Sequence, residues 1–130
     1  MEHEPLSERE EYVGKQVVDC AYVVHRALGP GLLEHVYEVC LCHELAKRGM
    51  QCRRQVPVRV RYDGITFEEA LRLDVLVEDL VIVEVKAAED MNPVYVAQVL
   101  TYLRLTDRRL GYVINFNAPL IRRGIRRLVR

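Results

Sequence analysis

Three charged residues are spaced so that they could act together: Asp74, Glu84 and Lys86. They lie in the stretch L-R-L-D-V-L-V-E-D-L-V-I-V-E-V-K, residues 71–86, which reads as two short strands joined at Glu78-Asp79-Leu80. Successive strand residues point to opposite faces. Folding the hairpin about Asp79 sets 74 opposite 84, 76 opposite 82 and 72 opposite 86. One face is then Leu71, Leu73, Val75, Val77, Val81, Val83 and Val85, and the other is Arg72, Asp74, Leu76, Ile82, Glu84 and Lys86. A slip of one residue would push charge into the apolar face, so the register is well specified. Asp74 and Glu84 become a direct cross-strand pair, with Cβ atoms roughly 4.5–5.5 Å apart, and like charges so placed repel. A divalent cation between them converts repulsion into ligation. Two hard oxygen ligands with an ammonium beside them fit metal-assisted attack on a phosphodiester. The spacing alone is not specific, because E-x-K is a common tripeptide and a solvated strand face also carries charge.

The rest of the chain must position these groups. Ser7 followed by Glu10 fits a capping box and starts a helix. Val13, Val17, Ala21, Val24 and Leu28 give that helix one apolar stripe, and Gly29-Pro30-Gly31 ends it. A second helix over 32–48 buries Leu33, Val36, Tyr37, Cys40, Leu41 and Leu45, and Gly49 closes it. Glu34 sits in its first turn. It is either a carboxylate favoured by the helix dipole or a third acid pointing over the sheet toward Asp74. Residues 51–62 alternate as a half-buried strand, with Pro57 marking an edge or irregular position. Asp63-Gly64 is a hairpin turn signal. The following strand, from Ile65 through Val77, is long enough to need a bend near residues 68–70. Pro93 opens a helix to about Leu105, on which Val96, Val99, Leu100 and Leu103 form the apolar face and Gln98 and Tyr102 share another. Gly111–Asn115 is a fourth strand, and residues 124–129 read as a short edge strand. The order is α-α-β-β-β-α-β-(β). The crossover places strands 81–86 and 111–115 in one mixed sheet, parallel to each other.

The chain has 130 residues, 50% hydrophobic and 29% charged, which suits a single α/β domain over 1–130 with 1–6 as a loose terminus. Nineteen basic residues balance nineteen acidic ones, so no global charge draws the protein to nucleic acid. The arginines Arg122, Arg123, Arg126, Arg127 and Arg130 concentrate at the C-terminus, either as solvated side chains or as a phosphate-binding edge. Cys20, Cys40, Cys42 and Cys52 match no zinc spacing and no C-x-x-C, and are expected to be reduced. His25, His35 and His43 show no partner pattern. No signal peptide or transmembrane run is visible, which sets a cytoplasmic expectation.

Several separated segments together resemble a known family. Asp74 on the second strand and Glu84-Val-Lys86 on the third are similar to the PD-(D/E)XK nuclease superfamily, with its restriction-endonuclease-like core. Gly31-Leu-Leu-Glu34-His-Val-Tyr37 resembles the signature of the small GxxExxY family proteins within it, and Gln55-Val-Pro-Val, Arg72-Leu-Asp74, Gln98-Val-Leu-Thr-Tyr102 and Gly111 through Asn117 extend the likeness over nearly the whole chain. Leu73 stands where the family usually has proline. The resemblance implies that Asp74, Glu84, the Val85 carbonyl and Glu34 hold Mg²⁺ or Mn²⁺, and that Lys86 activates water and steadies phosphate charge. Gln98 and Tyr102 resemble the Q-x-x-x-Y element of RecB-type nucleases, beside the site. The implied activity is hydrolysis of nucleic-acid phosphodiesters, DNA ahead of RNA, with Arg72, Arg104 or the C-terminal arginines on the backbone. The alternative is a non-catalytic nucleic-acid- or protein-binding module on the same fold. So small a domain has little room for substrate recognition, which leaves a place for a homodimer or protein partner.

Overall fold

The computed structural model describes residues 4–130. Residues 1–3, part of the terminus expected to be loose, lie outside them. Residues 4–6 are tied down: Leu6 packs on the core, and the Arg109 guanidinium donates to the carbonyls of Glu4 and Pro5. The first helix, α1 (Glu8–Leu28), begins at the expected capping box. Ser7 Oγ accepts from the Glu10 amide at 3.0 Å, and Glu10 Oε1 accepts from the Ser7 amide at 2.9 Å. Helix α2 (Glu34–Lys47) follows. Strands β1 (Cys52–Tyr62), β2 (Ile65–Val77) and β3 (Val81–Lys86) then form an antiparallel meander. Helix α3 (Pro93–Thr106) crosses over to β4 (Leu110–Asn115), and a 3₁₀ turn at Ile121–Gly124 leads into β5 (Ile125–Val129). The sheet order is β1-β2-β3-β4-β5, with β3 and β4 parallel and the other pairs antiparallel. Among the described residues no helix is long and apolar enough to cross a membrane.

Two cores lie on opposite faces of this sheet. On one, α1 and α2 cover Val75, Val77, Val81, Val83 and Val85. Tyr37 locks the loop between these helices, since its hydroxyl donates to the Gly29 carbonyl at 2.6 Å and accepts from the Leu32 amide at 3.0 Å. Its ring stacks on Phe116, with centroids 4.7 Å apart. On the other face, Leu73, Leu76, Ile82 and Val113 pack against Val99 and Leu103 of α3. Leu100, expected on the buried side of α3, is exposed. Its place is taken by Tyr95 and Tyr102, whose rings pack on this second core.

The single apolar face expected for Leu71 through Val85 is therefore divided. Val75 and Val77 belong to the first core, whereas Leu71 and Leu73 belong to the second. The change of face falls at Gln55 and Asp74. Arg54 pairs with Val75 and Val56 with Leu73, so Gln55 lies opposite Asp74, and this rung of the ladder is missing. Gln55 has φ +53°, a left-handed backbone that interrupts strict alternation. The bend expected near 68–70 is present: Val58 pairs with Leu71 but Val60 with Phe67.

The cysteines also depart from expectation. Cys42 and Cys52 are joined as a disulfide with Cα atoms 5.6 Å apart, a separation that such a bond spans readily. The turn at Gly49 brings the last part of α2 beside the start of β1, a juxtaposition that residue spacing does not reveal. Cys20 and Cys40 are free.

Candidate active site

The β2–β3 hairpin closes over Glu78, Asp79 and Leu80; Glu78 and Asp79 have positive φ, and the Leu80 amide donates to the Val77 carbonyl at 3.0 Å. Its ladder runs Val77–Val81, Leu76–Ile82 and Val75–Val83, the register read from the sequence, and stops there. The next rung is replaced. Asp74 Oδ2 accepts the Val85 amide at 2.9 Å, so a side chain stands where a backbone carbonyl would continue the pairing. Arg72 does not reach Lys86; it pairs with Pro57 across β1 and its guanidinium is engaged by Glu69.

This splaying leaves a polar edge without strand pairing at the carboxyl end of β3. The Lys86 carbonyl accepts from the Phe116 amide at 2.9 Å, on the β4 side. Peptide groups alternate along a strand, so the Val85 carbonyl, like its amide, faces β2, beyond the last β2–β3 rung. Glu84 and Lys86 share the face of Ile82, under α3. Lys86 Nζ lies 3.6 Å from Glu84 Oε2 and 4.6 Å from the centre of the Tyr95 ring.

Glu84 is 5% exposed, and among the described residues its Oε1 has no hydrogen-bond partner. Burial raises its pKa, the charge of Asp74 raises it further, and a hydrogen bond shared with Asp74 adds to this; Lys86 opposes them. The outcome is a carboxyl pushed up to about 8. The same acids act on α3. Burial, followed by the charges of Glu84 and Asp74, raises the Tyr102 phenol, whose ring packs on the second core with Leu73 and Ile82. Gln98, one turn earlier, has a buried Oε1 without a partner.

Asp74, Glu84, Val85, Lys86 and Tyr102 are thus brought together, with Gln98 on the adjoining face of α3. Glu34 is not gathered with them. It is exposed at the first residue of α2, a helix that packs on the opposite face of the sheet. Among the described residues no three His, Cys, Asp or Glu side chains converge closely enough to hold an ion. Arg127 and Arg130 of the basic terminus are paired with Glu11 and Asp107. His25 is structural, with Nε2 2.8 Å from the Ala118 carbonyl oxygen.

Three supporting residues are given no role by the sequence alone. Glu38 is buried and accepts from Gln55 Nε2 at 2.9 Å and Arg54 Nε at 3.2 Å, holding β1 at the reversal opposite Asp74. Its spacing from Leu41 and Leu45, both on the buried side of α2, was the available signal. Asn115, also buried, clamps the loop after Lys86: its amide accepts from the Ala88 amide and donates to the Ala88 carbonyl, both at 3.0 Å. Tyr95 meets Lys86, and its seven-residue spacing from Tyr102 was the clue.

A mixed sheet flanked by helices on both faces, carrying an acid pair and a lysine where two strands part, defines a restriction-endonuclease-like α/β domain. The model of the PD-(D/E)XK nuclease superfamily matches residues 11–128, and the chain belongs to that superfamily. No curated protein and no solved structure matches it.

Proposed function

We propose that the domain is a Mg²⁺- or Mn²⁺-dependent nuclease that hydrolyses nucleic-acid phosphodiesters, with DNA the first substrate to test. The observation that supports this reading is the Asp74–Glu84 pair. A buried carboxyl against a second acid is a poor structural element, and the next pair on the same face, Leu76–Ile82, shows the apolar contact that would stabilise the sheet there. The donors suit a hard cation: two carboxylates, one with an unpartnered oxygen, and the Val85 carbonyl at the parted edge. A divalent cation held by Asp74, Glu84 and the Val85 carbonyl would polarise the phosphate and lower the pKa of a water molecule.

The chain's own residues would do the rest. Lys86 presents an ammonium to the phosphoryl oxygen on which charge grows in the transition state. Gln98 and Tyr102 offer an amide and a hydroxyl from α3 to orient water or phosphate. Arg104, exposed on α3, and Arg72, exposed on β2 and paired with Glu69, would contact the sugar–phosphate backbone. The test is cleavage of single-stranded, duplex and branched DNA and RNA with Mg²⁺ or Mn²⁺, with Lys86→Ala purified in parallel. The expected result is activity in the wild type and a loss of at least about a hundredfold in the variant. Equal activity in both would overturn the site.

A further inference from the structure

We infer that Tyr95 is a positioning residue for Lys86: its ring face is the berth that aims the ammonium. The inference rests on the nuclease reading for what the aim accomplishes, but not for the berth itself. Lysine is a point charge on a flexible four-carbon stem, so something must restrict it. The Lys86 backbone is fixed, because its carbonyl is bonded to Phe116 and its strand lies between β2 and β4. The side chain is 18% exposed and meets two groups. One is Glu84, at 3.6 Å, too far for a direct hydrogen bond. The other is the Tyr95 ring, with the ammonium 4.6 Å from its centre, well inside cation–π range.

These two contacts differ in what they permit. Glu84 is a proposed cation ligand, so its charge is turned elsewhere when the site is loaded. A ring face attracts a cation through its quadrupole without neutralising it and without occupying its donors. Tyr95 can therefore hold Lys86 throughout, leaving N–H groups free for a phosphate oxygen.

The ring is itself held firmly. Asn92 caps α3, its Oδ1 accepting from the Val94 amide at 2.9 Å, and its carbonyl accepts from the Tyr95 amide at 2.9 Å. Ahead of it, Asn115 pins Ala88 on both amide and carbonyl, so the segment between Lys86 and Tyr95 is anchored near both ends. The half-buried Tyr95 ring then rests on the second core. Among the described residues the Tyr95 hydroxyl makes no hydrogen bond, so the ring face is the part that acts.

The experiment compares Tyr95→Phe and Tyr95→Leu with the wild type, using two readouts. In a ¹³C-methylene NMR spectrum, the lysine signal missing from Lys86→Ala identifies Lys86. It should be moved upfield by the ring in the wild type and in Tyr95→Phe, and return to the ordinary lysine position in Tyr95→Leu. In Mg²⁺-dependent cleavage, Tyr95→Phe should stay within about twofold of the wild type, whereas Tyr95→Leu should lose roughly tenfold in kcat with little change in KM. An unshifted Lys86 signal in the wild type, or equal kcat loss in both variants, would overturn the inference. A shifted signal in a protein that cleaves nothing would leave the berth standing and remove the nuclease reading.

Discussion

Neighbouring residues of β3 look into two different interiors. Val83 and Val85 face α1 and α2, and Glu84 and Lys86 face α3. Burial does not separate them, since Val83 and Val85 are fully buried and Glu84 is 5% exposed. Chemistry does. The first interior is filled by apolar side chains and the Tyr37–Phe116 stack, so every atom removed from water there stabilises the fold. The second begins the same way at Leu76 and Ile82 but ends, two residues further along β3, in a carboxyl whose charged form is disfavoured. Such a contrast within one strand separates what holds a fold together from what it carries at some cost in stability.

The comparison predicts opposite signs for substitutions on the two faces. Leu41 of α2 is fully buried in the first core. Leu41→Ala should destabilise the protein by about 2–5 kcal/mol through lost transfer free energy and the cavity left behind. Denaturant titration measures this, and cation affinity of the folded fraction should not change. Glu84→Gln should do the reverse. The folded-state pKa of Glu84 lies at about 8, above the ordinary 4.5. Between these values the folded protein keeps a proton that the unfolded chain releases, so wild-type stability falls as pH rises through that window. The glutamine variant lacks this dependence. In the metal-free protein it should match the wild type near pH 4.5 and exceed it by roughly 4 kcal/mol by pH 8. It should also lose thermal stabilisation by Mg²⁺ or Mn²⁺. Were it less stable than the wild type at pH 8, the acid pair would be structural and the contrast between the faces would fail.

Much of this was legible in the residues. The capping box, the element order, the hairpin register through Leu76–Ile82, the parallel crossover and the bend near 68–70 all follow from local patterns with few alternatives. Asp74, Glu84 and Lys86 could be placed together because strand alternation carries them to one side. The failures arise where tertiary context acts. Alternation cannot show that Gln55 adopts a left-handed backbone, so Leu71 and Leu73 were assigned to the wrong face. The docking of α2 beside β1 creates the Cys42–Cys52 bond and leaves Glu34 away from the acid pair, and neither consequence is encoded in spacing. Tyr95 and Glu38 act on residues distant in the chain, and only packing discloses such contacts.

Gln55 offers the finest division between the two faces, because it stands where β1 and β2 pass from one to the other. Gln55→Gly has two opposing effects. It relieves a left-handed conformation that costs a side-chain-bearing residue about 1–2 kcal/mol. It also removes the bond to Glu38, worth roughly 1.5–3 kcal/mol for a charged acceptor, although Arg54 still pairs with that carboxylate. The net change in stability should stay within about 1 kcal/mol. Gln55→Val loses the same bond and cannot adopt positive φ without strain, so it should destabilise by on the order of 3 kcal/mol. The informative quantity is the cation affinity of the glycine variant. Glu38 fixes Gln55, and Gln55 lies opposite Asp74, so freeing this backbone should loosen the Asp74 carboxylate and weaken Mg²⁺ or Mn²⁺ binding several-fold while stability hardly moves. Unchanged affinity, measured by calorimetry, would mean that pairing with β3 and the Val85 amide alone hold Asp74. The reversal would then shape the sheet without tuning the site.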